Sequence, residues 1–334
     1  MKKSSMLALA VSAGLSAAAC GEKGMTYGDW NSIIAVAAPD VWERVDDVVY
    51  AELERTVQTV RDEKTFTVTY QEPYAEFWDQ LRNFRQLLMI GTMDDPWIQE
   101  AIEKGTGDVA GPGIHQLARV WSREQTVTLV VLPEGGSTDG LAATLDEVYA
   151  LLDRQFLNGA RQRMYISGVD SALADTLAVE AGFRLLLPDV YRRERVDSVF
   201  IFRNDNPDPS ELIRQITVTW RSPAPGNLGQ DGILAWRQEI ADTHYVEPQE
   251  VVEEGMQVRP ATFDGRDGMS IQTQWRNPPD RGWPAGGPLI TRTLTCDAQD
   301  RTYLLDAWLY APGKEKYEYM VQLETILDTF DCGR

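Results

Sequence analysis

The sequence predicts an α+β protein of two similar halves, with mostly antiparallel sheets and helices packed on one face. Two observations carry this. Hairpin-like strand pairs recur along the chain, and such pairs build antiparallel sheets with one face free to take helices. In addition, ARVWSREQTVTLVVLPEGGSTDGLAATLDEVYALLDRQF (118–156) and TRTLTCDAQDRTYLLDAWLYAPGKEKYEYMVQLETILDTF (291–330) both read strand, polar turn, strand, proline, helix. Arg119 and Arg292 correspond, as do Pro133 and Pro312, and Phe156 and Phe330. The ordered agreement points to an internal duplication whose halves meet near Gly168.

Taken in order, Pro39 to Val60 reads as an amphipathic helix, with Val41, Val45, Val48, Val49, Leu53 and Val57 at helical spacing. TFTVTY (65–70) alternates as a strand, and FRQLLMIGT (84–92) reads as a more deeply buried one. WIQEAIEKG is a short helix closed by a glycine. GTGDVAGPG (105–113) is a loop by composition. The second half repeats the upstream pattern with a helix over 170–181, then FRLLLPDVY and SVFIFRND. It adds the strand ITVTWRSP (216–223), a helix from Gly232 to His244 and a hairpin around FDGRDG (263–268). The last helix carries Tyr317, Met320, Leu323, Leu327 and Phe330 on one stripe, the pattern of a core-facing helix.

The first residues are organised differently. Lys2 and Lys3 precede a run of small and apolar residues from Met6 to Ala19. At 14 residues the run is short of the roughly 20 that a membrane-spanning helix needs. Charged start, short apolar middle and small-residue end describe a secretory signal peptide over 1–19. Ala17-Ala18-Ala19-Cys20 resembles a bacterial lipobox, in which the cysteine thiol takes a lipid and the chain is cut before it. The alternative is ordinary cleavage after Ala19, which leaves an exposed thiol in an oxidising compartment. Gly21 after the cysteine favours outer-membrane over inner-membrane retention. The division that follows is a lipidated tether over 20–31, an N-terminal half over 32–167 and a C-terminal half over 168–334.

Without Lys2 and Lys3 the chain has 30 basic and 51 acidic residues, a net charge of −21. That balance repels phosphate backbones and argues against a nucleic-acid partner. It also repels anionic head groups, so the expected membrane contact is the lipid at Cys20, with an envelope protein or a glycan as the remaining candidate partners. With 43% hydrophobic residues and ten tryptophans, the chain can bury a sizeable core. If Cys20 carries lipid, Cys296 and Cys332 remain, an even number that suggests a disulfide in an exported protein; two buried thiols are the alternative.

Motifs for chemistry are sparse. His115 and His244 have no metal-ligand spacing around them, and no HExxH, CxxC or G-x-S-x-G occurs, so no metal, cofactor or catalytic residue is assigned. GGSTDG (135–140) reads as a helix cap through Ser137 or Thr138, with an anion cradle as the weaker reading. FDGRDG offers Asp264 and Asp267, too few oxygens for calcium, and reads as a turn. Trp78, Trp97, Trp121, Trp220, Trp236 and Trp308 fall in regular elements and read as core. Trp283 instead sits in GWPAGGP. There Gly286-Gly287-Pro288 would allow a turn with φ > 0 under a Trp283 lid, or form a ligand loop of Trp283, Gly286, Gly287 and Pro288.

WRNPPDRGWPAGGPL (275–289) followed by LYAPGKEKYEYMVQLETILDTF (309–330) resembles an uncharacterised bacterial lipoprotein family, domain of unknown function 4837. Trp283, Gly286, Gly287 and Pro288 match its first signature, and Ala311, Pro312, Gly313 and Lys314 its second. QEP (71–73) with LRNFRQLLMIG (81–91) resembles its N-terminal signature. The resemblance implies a lipoprotein and no established activity. The expectation is a non-enzymatic, membrane-anchored envelope lipoprotein, periplasm-facing at the outer membrane, with a binding or assembly role. The alternative is an envelope hydrolase acting on a glycan or peptide through acidic residues.

Overall fold

The computed structural model describes residues 23–332 other than Asn227 and Asp264. Cys20 and the signal segment lie outside the described residues. The first half runs β1 (Ser32–Val36), α1 (Pro39–Leu53), β2 (Thr56–Gln58), β3 (Asp62–Lys64), β4 (Thr67–Gln71), α2 (Trp78–Leu81), β5 (Gln86–Gly91), α3 (Pro96–Lys104), β6 (Gly113–Ala118), β7 (Thr126–Val131) and α4 (Leu141–Met164). The second runs α5 (Ser171–Ala181), β8 (Arg192–Val196), β9 (Val199–Asn204), β10 (Ile213–Arg221), α6 (Gly229–His244), β11 (Glu250–Phe263), β12 (Arg266–Arg276), β13 (Gly286–Cys296), β14 (Arg301–Tyr310) and α7 (Tyr317–Asp328).

The protein is α+β with mostly antiparallel pairing, in two halves. The first sheet has the order β4-β1-β5-β7-β6 and the second β11-β12-β13-β14-β10-β9-β8; β2 and β3 form a separate hairpin. The second sheet is antiparallel throughout. In the first, β1 pairs in parallel with β4 and β5, and β5 with β7. Helical crossovers between these strands make parallel pairing possible. Central β5 is buried at every position, as a strand covered on both faces must be. The halves share the hairpin–helix unit, β6-β7-α4 and β13-β14-α7, but set it in sheets of different pairing.

Helices cover both faces of each sheet, not one. In the first half, Trp42, Val45 and Val49 of α1 and Leu145, Val148 and Phe156 of α4 pack against Ile33, Leu88 and Val130. Trp78, Trp97 and Ile98 of α2 and α3 fill the opposite face against Ile34, Leu87 and Met89. In the second half α5 and α7 cover Phe200, Phe202, Ile216 and Leu305, while Trp236 and Ile240 of α6 cover Val199, Ile201 and Leu304. Alternation along the strands sends hydrophobic residues to both faces, so one layer of helices would leave half of them in water.

Local expectations shift in several places. FRLLLPDVY forms no strand, only isolated bridges at Arg184 and Pro188, and the strand expected from Ala118 onward is instead β6, which ends at Ala118. The first helix stops at Leu53, and Val57 lies in β2. Four of the five residues Thr56, Val57, Gln58, Thr59 and Val60 are β-branched, and such a run prefers the strand. Helix α4 begins without a side-chain cap, on Gly140 at φ 76, while Ser137 donates to Asp139. Gly140 takes the left-handed conformation directly before the helix, which displaces Ser137 and Thr138 from the capping position. Cys296 and Cys332 form a disulfide with Cα atoms 6.3 Å apart, tying the end of β13 to the segment after α7.

Candidate functional site

The halves meet along α4 and α7. The rings of Phe156 and Tyr317 stack with centroids 5.4 Å apart, and Arg163 Nη2 lies 2.9 Å from Glu318 Oε1. Helix α7 has no side-chain cap of its own. Buried Glu63 of β3 supplies one from the other half: its Oε2 accepts from the amides of Lys316 at 2.7 Å and Tyr317 at 2.9 Å. A carboxylate at the positive end of a helix satisfies two otherwise orphaned N–H groups.

Beside this contact lies a cavity of about 240 Å³ between the β2–β3 hairpin, strands β11–β13 and α7. One side is apolar, from Pro288 and Ile290 of β13 and Met320 and Val321 of α7. The other presents carboxamides: Gln58 of β2, Gln257 of β11, and Gln272 and Gln274 of β12. Strand β11 reaches the hairpin through an irregularity between Val252 and Gln257, where the pairing register shifts. Gly255 sits there at φ +73, and a Cβ on it would lie 2.5 Å from Gln58 Nε2. The bulge therefore needs glycine for its left-handed backbone, while the contact is with the movable end of the Gln58 side chain.

The rim is held by a charge network. Glu324 Oε1 accepts from Gln272 Nε2 at 3.2 Å, Arg292 Nη2 at 3.2 Å and Arg259 Nη2 at 3.3 Å. Arg292 is buried and also donates to Asp328 at 2.6 Å, its guanidinium stacked 4.8 Å from the Phe263 ring. The planar fork of arginine lets one buried cation serve two carboxylates. At the back, burial and then Asp153 push the Tyr317 phenol well above its ordinary range. Burial likewise raises Asp153, against the hydrogen bond that Tyr317 donates to it at 3.4 Å. Carboxamides offer both donors and acceptors, and Glu254, Arg259 and Glu324 add charged groups to the same lining.

Of the predicted loop, Pro288 alone reaches the cavity wall. Gly286, Gly287 and Pro288 are strand residues of β13, paired with Arg276, Trp275 and Gln274. Neither Gly286 nor Gly287 has positive φ; that conformation falls on Gly282 at φ 81. The two glycines serve close packing instead, since a Cβ on Gly287 would sit 1.7 Å from the Leu309 carbonyl oxygen. Trp283 is 59% exposed, edge-on to Tyr310 at 5.4 Å. His115 lies in β6, its Nε2 2.9 Å from the Gly111 carbonyl, and His244 ends α6, so the two are not brought together. Among the described residues no group of three His, Cys, Asp or Glu is placed to hold a metal ion. Asp264 lies outside the described residues. Gln58, Glu63 and Gln272 carry no sequence signal. Gly255 does, as an isolated glycine in a strand-like stretch.

Fold and cavity define an α+β protein whose two sheet-based halves enclose a small cavity. Residues 170–329, the second sheet with its helices, match the family described as Domain of unknown function (DUF4837). No curated protein matches the sequence. Among solved structures, the chain is similar to cyanobacterial PsbP (CyanoP) from Synechocystis sp. PCC 6803, at 13% identity and TM-score 0.30, covering 45% of this chain and 86% of that one. It is also similar to the Saccharomyces cerevisiae Ran-binding protein Mog1p, at 9% identity and TM-score 0.31, covering 45% and 90%.

Proposed function

We propose that this protein is a bacterial envelope lipoprotein, acylated at Cys20, held at the outer membrane facing the periplasm, and acting as a binding or assembly module. The observation that carries the binding role is the cavity between the halves, apolar on one wall and lined with carboxamides on the other. At about 240 Å³ it falls below the 300–1,000 Å³ common for drug-sized ligands. It suits one sugar ring or one or two side chains of a peptide, matching a glycan or an envelope protein as partner. The lipobox-like Ala17-Ala18-Ala19-Cys20 supports the anchor.

The test places a photo-crosslinking residue at Gln274 in cells producing the full chain. One discrete adduct is expected, and it disappears when Met320→Trp fills the cavity. An adduct pattern unchanged by Met320→Trp overturns the binding role. Metabolic labelling with a fatty-acid analogue reports the anchor separately, with label on the native chain and none on Cys20→Ser.

A further inference from the structure

Lys23 follows Cys20 by three residues, and that separation constrains how an acylated chain can sit. Three residues span at most about 10 Å, so a lipid on Cys20 would hold Lys23 within about that distance of the bilayer surface. Lys23 is pinned to the first half: its Nζ donates to the Lys104 carbonyl at 2.9 Å and to that of Arg119, and its own carbonyl accepts from Arg123 Nε at 2.7 Å. Gly24 bridges to Ser122, and Tyr27 bridges to Phe84 with ring centroids 4.7 Å apart.

Large apolar side chains stand exposed around this segment: Met25 at 67%, Tyr74 at 55%, Phe77 at 54% and Tyr27 at 43%. Glu100 links Tyr74 to Trp121, next to Ser122 and its bridged partner Gly24. It accepts from the Tyr74 hydroxyl at 3.2 Å and from Trp121 Nε1 at 3.4 Å, and pairs with Lys104 at 2.6 Å. Other acids here are engaged as well, Asp79 with Arg82 at 2.9 Å and Glu124 with Arg85 at 3.4 Å. Lys23 and Arg119 are exposed here, as is Glu76, in a chain whose net charge is −19.

We infer that this surface, formed by residues 23–27, 74–82 and 119–123, rests on the head groups of the membrane. The inference rests on acylation at Cys20 in the reading above. Tyrosine and other amphipathic rings favour the interfacial layer, and cations favour an anionic leaflet that repels the rest of this acidic chain. A membrane is the occupant because the anchor brings this face to the bilayer whatever else binds elsewhere.

The test does not depend on cellular acylation. Cys296 and Cys332 are buried in a disulfide, so Cys20 of the chain 20–334 can be coupled to maleimide-bearing lipid in phosphatidylethanolamine–phosphatidylglycerol vesicles. Amide hydrogen exchange over 23–28 and 74–82 is expected to slow about tenfold relative to the uncoupled chain, with little change elsewhere. The double variant Met25→Ser/Phe77→Ser should lose that protection and keep the native melting temperature. Unchanged exchange on coupling, or equal slowing in concentrated uncoupled protein, overturns the proposal, the latter by assigning the face to a second copy. Slowing on vesicles together with absent fatty-acid labelling in cells would sink the anchor alone.

Discussion

Glu63 and Tyr317 join the two halves of the chain through one hydrogen bond of 2.9 Å, from the Tyr317 amide to the Glu63 carboxylate. The same oxygen caps Lys316, so a residue of the first half starts the last helix of the second.

Glu63→Ala should therefore destabilise more than an ordinary surface change, by about 1–3 kcal/mol from a lost cap and two orphaned amides. Glu63→Gln keeps an acceptor and should cost less. Urea unfolding followed by tryptophan fluorescence checks this, and equal midpoints for Glu63→Ala and the native chain would contradict the cap.

Gly287→Ala brings a Cβ to 1.7 Å from the Leu309 oxygen, within a strand paired on both sides. Overpacking of backbone against backbone should cost about 1–3 kcal/mol or more. Gly226→Ala meets nothing within 4 Å and is the control, expected to leave the melting temperature unmoved.

Opening the Cys296–Cys332 bridge, with a sequence separation of 36, should cost about 3–4 kcal/mol in the chain-entropy account. The paired Cys296→Ser/Cys332→Ser variant measures it by denaturant titration. Native-like stability in that variant would mean that the bridge adds nothing to the fold.

Glu100 gives a pH dependence of definite sign. Burial opposes its charge, but hydrogen bonds from Lys104 and Trp121 outweigh burial and hold its pKa below the ordinary value. A depressed carboxyl contributes stability above its unfolded value, about pH 4.3, and that contribution is lost as pH falls through the folded value. Stability of the native chain should thus fall more steeply below pH 4.3 than that of Glu100→Gln. Melting temperatures from pH 7 to pH 3 test this, and parallel curves would count against it.

Much of the fold was legible because its signals are local. Alternation in TFTVTY, the glycine closing WIQEAIEKG and the repeated strand–turn–strand–helix pattern each depend on residues within one or two elements. The candidate site was not. Gln58, Glu63 and Gln272 are ordinary polar residues until the hairpin, the β11 bulge and α7 converge on them.

By itself the sequence determined the α+β class, the hairpin–helix units and an even pair of cysteines, since periodicity and parity survive without coordinates. Tertiary structure alone decided that β1 pairs in parallel, that helices cover both faces of each sheet, and that Gly287 is needed for room. It also placed a carboxylate from one half on a helix of the other. Each of these depends on which distant segments touch, and that choice is made by packing the whole chain.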